Sequence, residues 1–534
     1  MDRRSFIQAS LTFTGVSALL ASCKPRKKVK GKIVGASSNV GHLLRDKKFD
    51  QPTSVQKKEV VIVGGGVSGL SAAYHLQKGG IHDFVLLDLE ANVGGNAACG
   101  KNDFSAYPWG AHYVPIPNND LKEYLKFLKE ANVVVGENEK GLPIYNELFL
   151  CFDPEERLYI NGQWQEGLVP QFGVPPEERI QIDRFLSVMN EFRYKKGNDG
   201  KDAFALPVDE SSKDEAFTIL DSITTKTWLI QQGFTSPYLH WYVNYCTRDD
   251  FGTPYDKASA WAGIHYFACR KGNGANAQHQ DVLTWPEGNG WLVAQLEKTI
   301  RSSIQTNCLV IKVEQAAGKV VVSYLDIKSN SLKAVEAEEC IIAVPQFIAG
   351  RLLNDENRLK DVHQNMHYVP WMVANLTVSK LEERNGAPLS WDNVIYGTDS
   401  LGYVEATHQL TQQYVPRRNL TYYLPLTDGS VSDARKRAQQ TTYEQWVEKI
   451  LNEVRRIHPN IDEVLEELNI QIWGHAMAQP TPGMIHGSIR QKLGASVDNQ
   501  IHFAHTDVAG VSLFEEAFYQ GLNAANKVKQ NLTV

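Results

Sequence analysis

The sequence predicts an α/β protein whose first folded unit is a doubly wound, mainly parallel sheet. Three observations predict it. Val60-Val61-Ile62-Val63 is a continuous β-branched run of the kind buried on both faces of a parallel sheet, and Gly64-Gly65-Gly66-Val67-Ser68-Gly69 follows it into a helical stretch at Leu70–Gln77. A second apolar strand, Phe84-Val85-Leu86-Leu87, then ends at Asp88.

Length and composition set the frame. The chain has 534 residues, 43% of them hydrophobic and 22% charged, which is enough to bury a large core and too apolar for disorder. Its formal charge of −6 leaves no overall basic field, so nucleic acid is not an expected partner. No apolar run approaches the roughly 20 residues of a spanning helix.

The N-terminus is read as an address. Asp2-Arg3-Arg4-Ser5-Phe6 precedes a short, mildly apolar stretch ending at Leu20-Ala21-Ser22-Cys23, and this resembles a twin-arginine export signal joined to a bacterial lipoprotein box. The resemblance implies export in the folded state, lipidation of Cys23, and a mature chain anchored on the periplasmic side of a bacterial membrane. Residues 1–23 are assigned to this signal. Residues 24–56, rich in lysine with Gly, Ser and Pro between, are expected as a solvated tether, although Gly41–Asp46 has the apolar character of a segment that docks. Among the other cysteines no C-x-x-C spacing occurs and no histidine lies in zinc register. No metal site is expected, and buried free thiols are favoured over disulfides.

The glycines have separate tasks. Gly64 turns the chain, Gly66 admits a pyrophosphate to the backbone, and Gly69 lets helix and strand approach. Ser68 belongs to the same phosphate-facing turn, at the helix N-terminus. Asp88 is suited to accept hydrogen bonds from ribose hydroxyls.

A further feature narrows the cofactor. Asp88-Leu89-Glu90-Ala91-Asn92-Val93-Gly94-Gly95 places a Gly-Gly pair shortly after the ribose acid, and Asn96 stands where an arginine is usual. The chain's end carries Phe503-Ala504-His505-Thr506-Asp507 and then Glu515-Glu516-Ala517-Phe518-Tyr519-Gln520-Gly521-Leu522-Asn523-Ala524-Ala525, within a stretch, Val511–Val528, that reads as helical. Between them lie Leu309–Val313, Val320–Leu325 and Cys340–Pro345, preceded by the turn Thr284–Trp291. These three regions resemble the flavin-containing amine oxidase superfamily, which includes protoporphyrinogen oxidases and carotenoid desaturases. The resemblance implies a Rossmann-like FAD-binding domain assembled from residues 57–120, 282–350 and 474–534. An α+β substrate domain is expected from 121–281 and 351–473. It also implies that Gly94, Gly95, Asn96, Gly110, Val310, Thr506, Asp507 and Ser512 join the glycine turn and Asp88 around FAD. His505 and Thr506 replace the family's Gly-Glu, with Asp507 as a substitute acid.

The chemistry implied is hydride removal at flavin N5, where the protein orients substrate and excludes water. Tyr107–Tyr113 stands where relatives carry a loop near the flavin ring, which makes His112 the first candidate polar group there. Trp473 and His505 complete the candidate catalytic set. Trp109 and Tyr113 either wall a pocket or fill the core. Trp241, Asp249, Asp250, His265 and Tyr266 form a dense aromatic and acidic stretch. It is read either as a box for a cationic amine or as a helix-end salt-bridge cluster. The lysine common in amine oxidases is missing from its counterpart stretch, Trp371–Ser379, with none before Lys380, and the paired tyrosines that often sandwich the amine are not found.

The leading expectation is an enzyme oxidising a small amine or polyamine, with oxygen, quinone or a cytochrome as acceptor. A polycyclic or polyene desaturase, and a non-catalytic flavin-containing lipoprotein, are the alternatives. FAD is expected to be non-covalent, because no cysteine occupies an attachment position near the C-terminal segment. Acid precipitation of purified protein should therefore leave the yellow colour in the supernatant; colour retained in the pellet would mean a covalent bond.

Overall fold

Two large sheets organise the computed structural model, which describes residues 28–35, 37–46, 49–412 and 415–533. The stretch read as an export signal, with Cys23, lies outside these residues. The first sheet has seven strands, in the order Ile304–Gln305, Phe84–Leu87, Ser54–Val63, Ser331–Ile342, Lys319–Asp326 and Cys308–Ala316, with Ile501–Phe503 beside Ser331–Ile342. Its nucleotide-side strands are parallel, and Val60, Val61 and Ile62 are fully buried, as a β-branched run covered on both faces should be. The helix Val67–Lys78 covers one face, and the terminal helix Phe514–Leu532 packs on it, with Ser71 Oγ donating to the Phe518 carbonyl at 2.6 Å. Glycines make that packing possible. A Cβ at Gly69 would lie 1.9 Å from the Gly64 carbonyl oxygen, and one at Gly521 would lie 2.3 Å from that of Ser68.

The second sheet has eight strands, in the order Ile33–Gly35, Leu465–Ala478, Tyr368–Val378, Arg418–Pro425, Tyr403–Glu405, Asp392–Ile395, Glu156–Ile160 and Gln163–Glu166. Every residue of Tyr368–Val378 is buried, which marks it as the covered centre. Leu465–Ala478 runs unbroken through residue 473, where the substrate domain was expected to end. The helices Pro176–Tyr194, Thr225–Gln231, Pro237–Phe251 and Ala260–Ala268 form a cap. Pro237–Phe251 starts on the Ser236 side-chain cap and stops at Gly252 in the left-handed region.

Two expectations are corrected. The stretch read as a solvated tether is bound to the body over much of its length. Ile33–Gly35 adds a parallel strand to the edge of the second sheet, since the backbone of Leu465–Ala478 offers unpaired groups whatever the side chains are. Strand Ser54–Val63 likewise begins inside the tether's expected range. The terminal helix starts at Phe514 rather than Val511, because Gly510 and Leu513 hold non-helical backbone before it. Among the described cysteines none is disulfide-bonded; five are buried and Cys99 is exposed. No helix of the described residues is long and apolar enough to cross a membrane.

Close packing of the two helices should be the fold's least forgiving point. Gly521→Ala is expected to lower stability by about 1–3 kcal/mol in thermal unfolding. Gly136→Ala, whose Cβ would sit 3.6 Å from Ile144 Cδ1, should stay within about 0.5 kcal/mol.

Candidate active site

A cavity of about 1030 Å³ opens where the glycine turn meets the terminal helix. Gly64, Gly66, Ser68, Asp88, Gly94, Gly95 and Asn96 line one side, and His505, Thr506, Asp507 and Ser512 the other. Two helices, Val67–Lys78 and Phe514–Leu532, begin at its wall, and neither has a side-chain N-cap, so their first N–H groups face an anion-receptive space. Gly64 sits at φ +103, while a Cβ on Gly66 would meet nothing within 4 Å, which leaves its backbone open to the cavity. This cradle fits a dinucleotide pyrophosphate. Asp88 accepts from the Gly65 amide at 2.6 Å and the Glu90 amide at 2.7 Å. Burial nonetheless pushes its carboxyl up to about 6.

A second chamber, about 860 Å³, shares Asn96, Ala111, Ala476, Ser512, Leu513 and Phe514 with the first and is therefore continuous with it. Its aromatic walls come from the loop residues His112 and Tyr113 and from three adjacent strands that carry Trp371, Tyr423 and Trp473. The loop is pinned at three successive carbonyls. Asn375 Nδ2 donates to Pro108 at 2.9 Å, Trp473 Nε1 to Trp109 at 2.6 Å, and Tyr423 OH to Gly110 at 2.9 Å. A Cβ on Gly110 would lie 2.2 Å from the Asn96 carbonyl oxygen, so only glycine lets the loop pass beside the Gly-Gly turn. Burial pushes His112 down to about 3, which keeps it neutral, and its ring lies 4.7 Å from that of Tyr423.

The chamber's charge is acidic. Asp249, Asp250 and Glu515 line it with a single lining cation, Arg270, which reaches Glu515 at 3.3 Å and Asp250 at 3.7 Å. Burial works against the Arg270 charge, but Glu515 and Asp250 outweigh it and hold the guanidinium protonated. Asp249 is pushed up to about 8, first by burial, then by Asp250 and Glu156. Asp249 and Asp250 occupy the last turn of Pro237–Phe251, where carboxylates oppose the helix dipole, so capping does not explain them. Asp392 and Glu156 extend the same acidic field; burial raises both, Glu156 to about 6.

The structure separates the residues singled out from sequence. His112 and Trp473 line the aromatic chamber, as do Gly110, Asp249 and Asp250. His505 does not: it lies on the dinucleotide cavity, 3.0 Å from Asp507, because the turn carrying it precedes the terminal helix. Asp507 also accepts from Tyr368 OH and the Gln346 amide; burial would raise it, but these donors and His505 win and hold it low. Gly69 serves helix packing instead of lining the cavity. Val310 is buried in the core against the sheet. Trp241 stacks on Tyr245 and lies tilted against Tyr396, and Tyr266 meets Phe267 edge to face, outside the chamber lining. His265 is core: fully buried, stacked on Trp261 and bonded to the Ala205 carbonyl at 2.9 Å. Sequence reasoning missed Trp371, Val373, Tyr423, Arg270, Asn289 and Glu515. Among the described residues, no lysine and no cysteine lines either compartment. No group of three metal-ligating side chains occurs among the described residues.

A glycine-cradled dinucleotide cavity opening into an aromatic chamber defines a dinucleotide-dependent oxidoreductase. The chain belongs to the flavin containing amine oxidoreductase family, whose profile matches residues 67–529, and is an FAD-dependent oxidoreductase. It is 26% identical to an L-amino acid oxidase of Cerastes cerastes over 70% of this chain and 67% of that one. It is 25% identical to L-amino acid oxidase Bs29 of Bothriechis schlegelii over 55% of this chain and 54% of that one, so it spans about half to two thirds of these relatives. Among solved structures it resembles putrescine oxidase bound to putrescine, with TM-score 0.63 and 17% identity over 89% of this chain and 100% of that one. Cyclohexylamine oxidase from Brevibacterium oxydans IH-35A gives TM-score 0.62 and 14% identity over 90% and 100%.

The raised carboxyls fix a pH dependence. Asp249 and Glu516, the latter raised by burial to about 8, both bind protons in the folded state that the unfolded chain has released. Their contribution is fully present below about pH 4 and is lost as pH rises to about 8. Apoprotein should resist urea less well at pH 8 than at pH 6, and Asp249→Asn should flatten that decline. An unchanged slope in the variant would contradict the assignment.

Proposed function

We propose that this protein oxidises a small cationic amine or polyamine by hydride removal at flavin N5, with oxygen, a quinone or a cytochrome as electron acceptor. One observation carries the reading: Asp249 and Asp250 face an aromatic chamber in which Arg270, the single lining cation, is already held by Asp250 and Glu515. Asp249 is left to pair with an arriving ammonium group, whose positive charge favours the Asp249 carboxylate and sends the proton it otherwise holds to solvent, and the aromatic faces add cation–π attraction. Neutral His112 adds no repulsion. An Asp249 carboxyl raised toward the ammonium range also narrows the gap for taking the substrate's proton, leaving the neutral amine from which hydride departs. Bound FAD supplies the hydride acceptor. The chain's own residues orient the carbon, exclude water and hold the proton.

The solved neighbours, a putrescine oxidase bound to putrescine and a cyclohexylamine oxidase, are named for amines, which supports this class. Arg270 is the group that would meet an amino-acid carboxylate, and its pairing with two acids favours an amine over an amino acid. The absence of a lining cysteine supports non-covalent FAD. The arginine pair at Arg3-Arg4 and the Cys23 box support twin-arginine export and a lipid anchor on the periplasmic side. A second reading, oxidation of a polycyclic or polyene substrate, draws on the apolar share of the walls, Trp371, Val373, Met477 and Phe514.

An anaerobic panel tests both. Amines should bleach the flavin absorbance and polyenes should not. Asp249→Asn should weaken amine binding about tenfold or more, the loss for a charge-assisted pair. Bleaching by polyenes alone, or parental amine affinity in the variant, would sink the amine reading.

A further inference from the structure

We infer that residues 30–35 and 37–46 form a strap that closes the dinucleotide cavity and retains its cofactor. The segment is fastened on both sides of that cavity. On the substrate-domain side, Lys30 pairs with Glu467 and Ile33–Gly35 with Ile470–Ile472, just before His475, which lines the cavity. The Lys30 carbonyl accepts from the Leu468 amide and from Tyr443 OH, both at 2.9 Å. On the other side, Ser37 donates through its amide and its hydroxyl to the two carboxylate oxygens of Glu90, each at 2.8 Å. Glu90's own amide holds Asp88, the acid of the cavity wall.

Past Ser37 the strap runs on beside the cavity wall. Gly41 lies against Leu89, Leu44 and Val344 pack on the same apolar cluster, and burial first, then Arg435 and His42, lower the pKa of His475. Val344 and His475 both line the cavity. Thr53, further on, donates to the Leu332 carbonyl at 2.9 Å and ties the chain down again. A dinucleotide that enters from this side must pass while the strap is off. By linkage, whatever favours the docked strap slows cofactor release, and bound cofactor favours docking.

The fastenings can be loosened without touching the cavity lining. Gly31 has φ +136, and a Cβ there would sit 1.8 Å from the Leu468 carbonyl oxygen, so Gly31→Ala must displace the strand. Ser37→Ala removes a charge-assisted bond to Glu90. The full-length, FAD-loaded protein is diluted, and release is followed by the fluorescence of free FAD. Gly31→Ala/Ser37→Ala should release FAD about tenfold faster or more, and Ser37→Ala alone about threefold faster. Trypsin should cut at Arg45 more slowly in FAD-loaded than in stripped parental protein. Parental release rates in the double variant would overturn the strap, as would parental rates in Ser37→Ala if the double variant does not fold. A parental protein that never binds FAD would instead count against the cofactor assignment itself.

Discussion

The structure turns on how closely two helices and a turn can be stacked. Gly64, Gly69 and Gly521 stand in line, and a methyl group at either of the last two would strike a backbone carbonyl. That spacing brings the N-termini of Val67–Lys78 and Phe514–Leu532 to one cavity although they lie at opposite ends of the chain. Neither helix spends a side chain on its own first turn. The unmet N–H groups are the reason an anionic cofactor adds stability there instead of merely finding room. The cavity is thus a consequence of packing, and packing density is what holds its donors in place.

The second compartment depends on the first through one loop. Pro108, Trp109 and Gly110 offer three successive carbonyls to donors on three neighbouring strands of the other sheet. The loop therefore belongs to both domains, and its register fixes where His112 and Tyr113 stand against Tyr423 and Trp391. The cost falls on electrostatics. Asp249 and Asp250 are placed at the unfavourable end of a helix, near Asp392 and Glu156, with too few cations to balance them. Natural sequences retain such conflicts where function needs them.

The glycine-led unit was legible because its chemistry is local: strand, turn, helix and acid follow one another, and Phe84–Leu87 falls where the apolar run predicts it. The 3.6-residue apolar period of Tyr443–Val454 is equally local, and the helix it forms starts on a capping box at Thr442. The chamber was half legible. Asp249 and Asp250 stood out as acids among aromatics, yet His265 and Trp241 shared that composition and went to the core. What sorts them is the face of each helix, and continuous aromatic sequence hides it. Trp371, Val373 and Tyr423 were not legible, since they meet through the pairing of Val373 with Tyr423 and of Trp371 with Trp473 across distant strands. Pairing register over such separations leaves no local spacing to read. A lysine-rich segment likewise reads as tether by composition, and an edge strand asks only for its backbone.

That last point bears on the order in which the protein closes. The strap is made early, but its partner strand Leu465–Ala478 is among the last elements synthesised. Val67–Lys78 and Ser54–Val63 precede it by hundreds of residues. The terminal helix, which brings Phe514 and Ala517 to the dinucleotide cavity, comes later still. Until both late elements exist, the strap has nothing to close against on the substrate-domain side and the cavity stands open. Cofactor entry before closure then needs no separate opening event, whereas loss afterwards requires undoing strand pairing and the Ser37–Glu90 contact together. For a chain proposed to leave the cytoplasm already folded, that asymmetry would favour arrival with the cofactor in place.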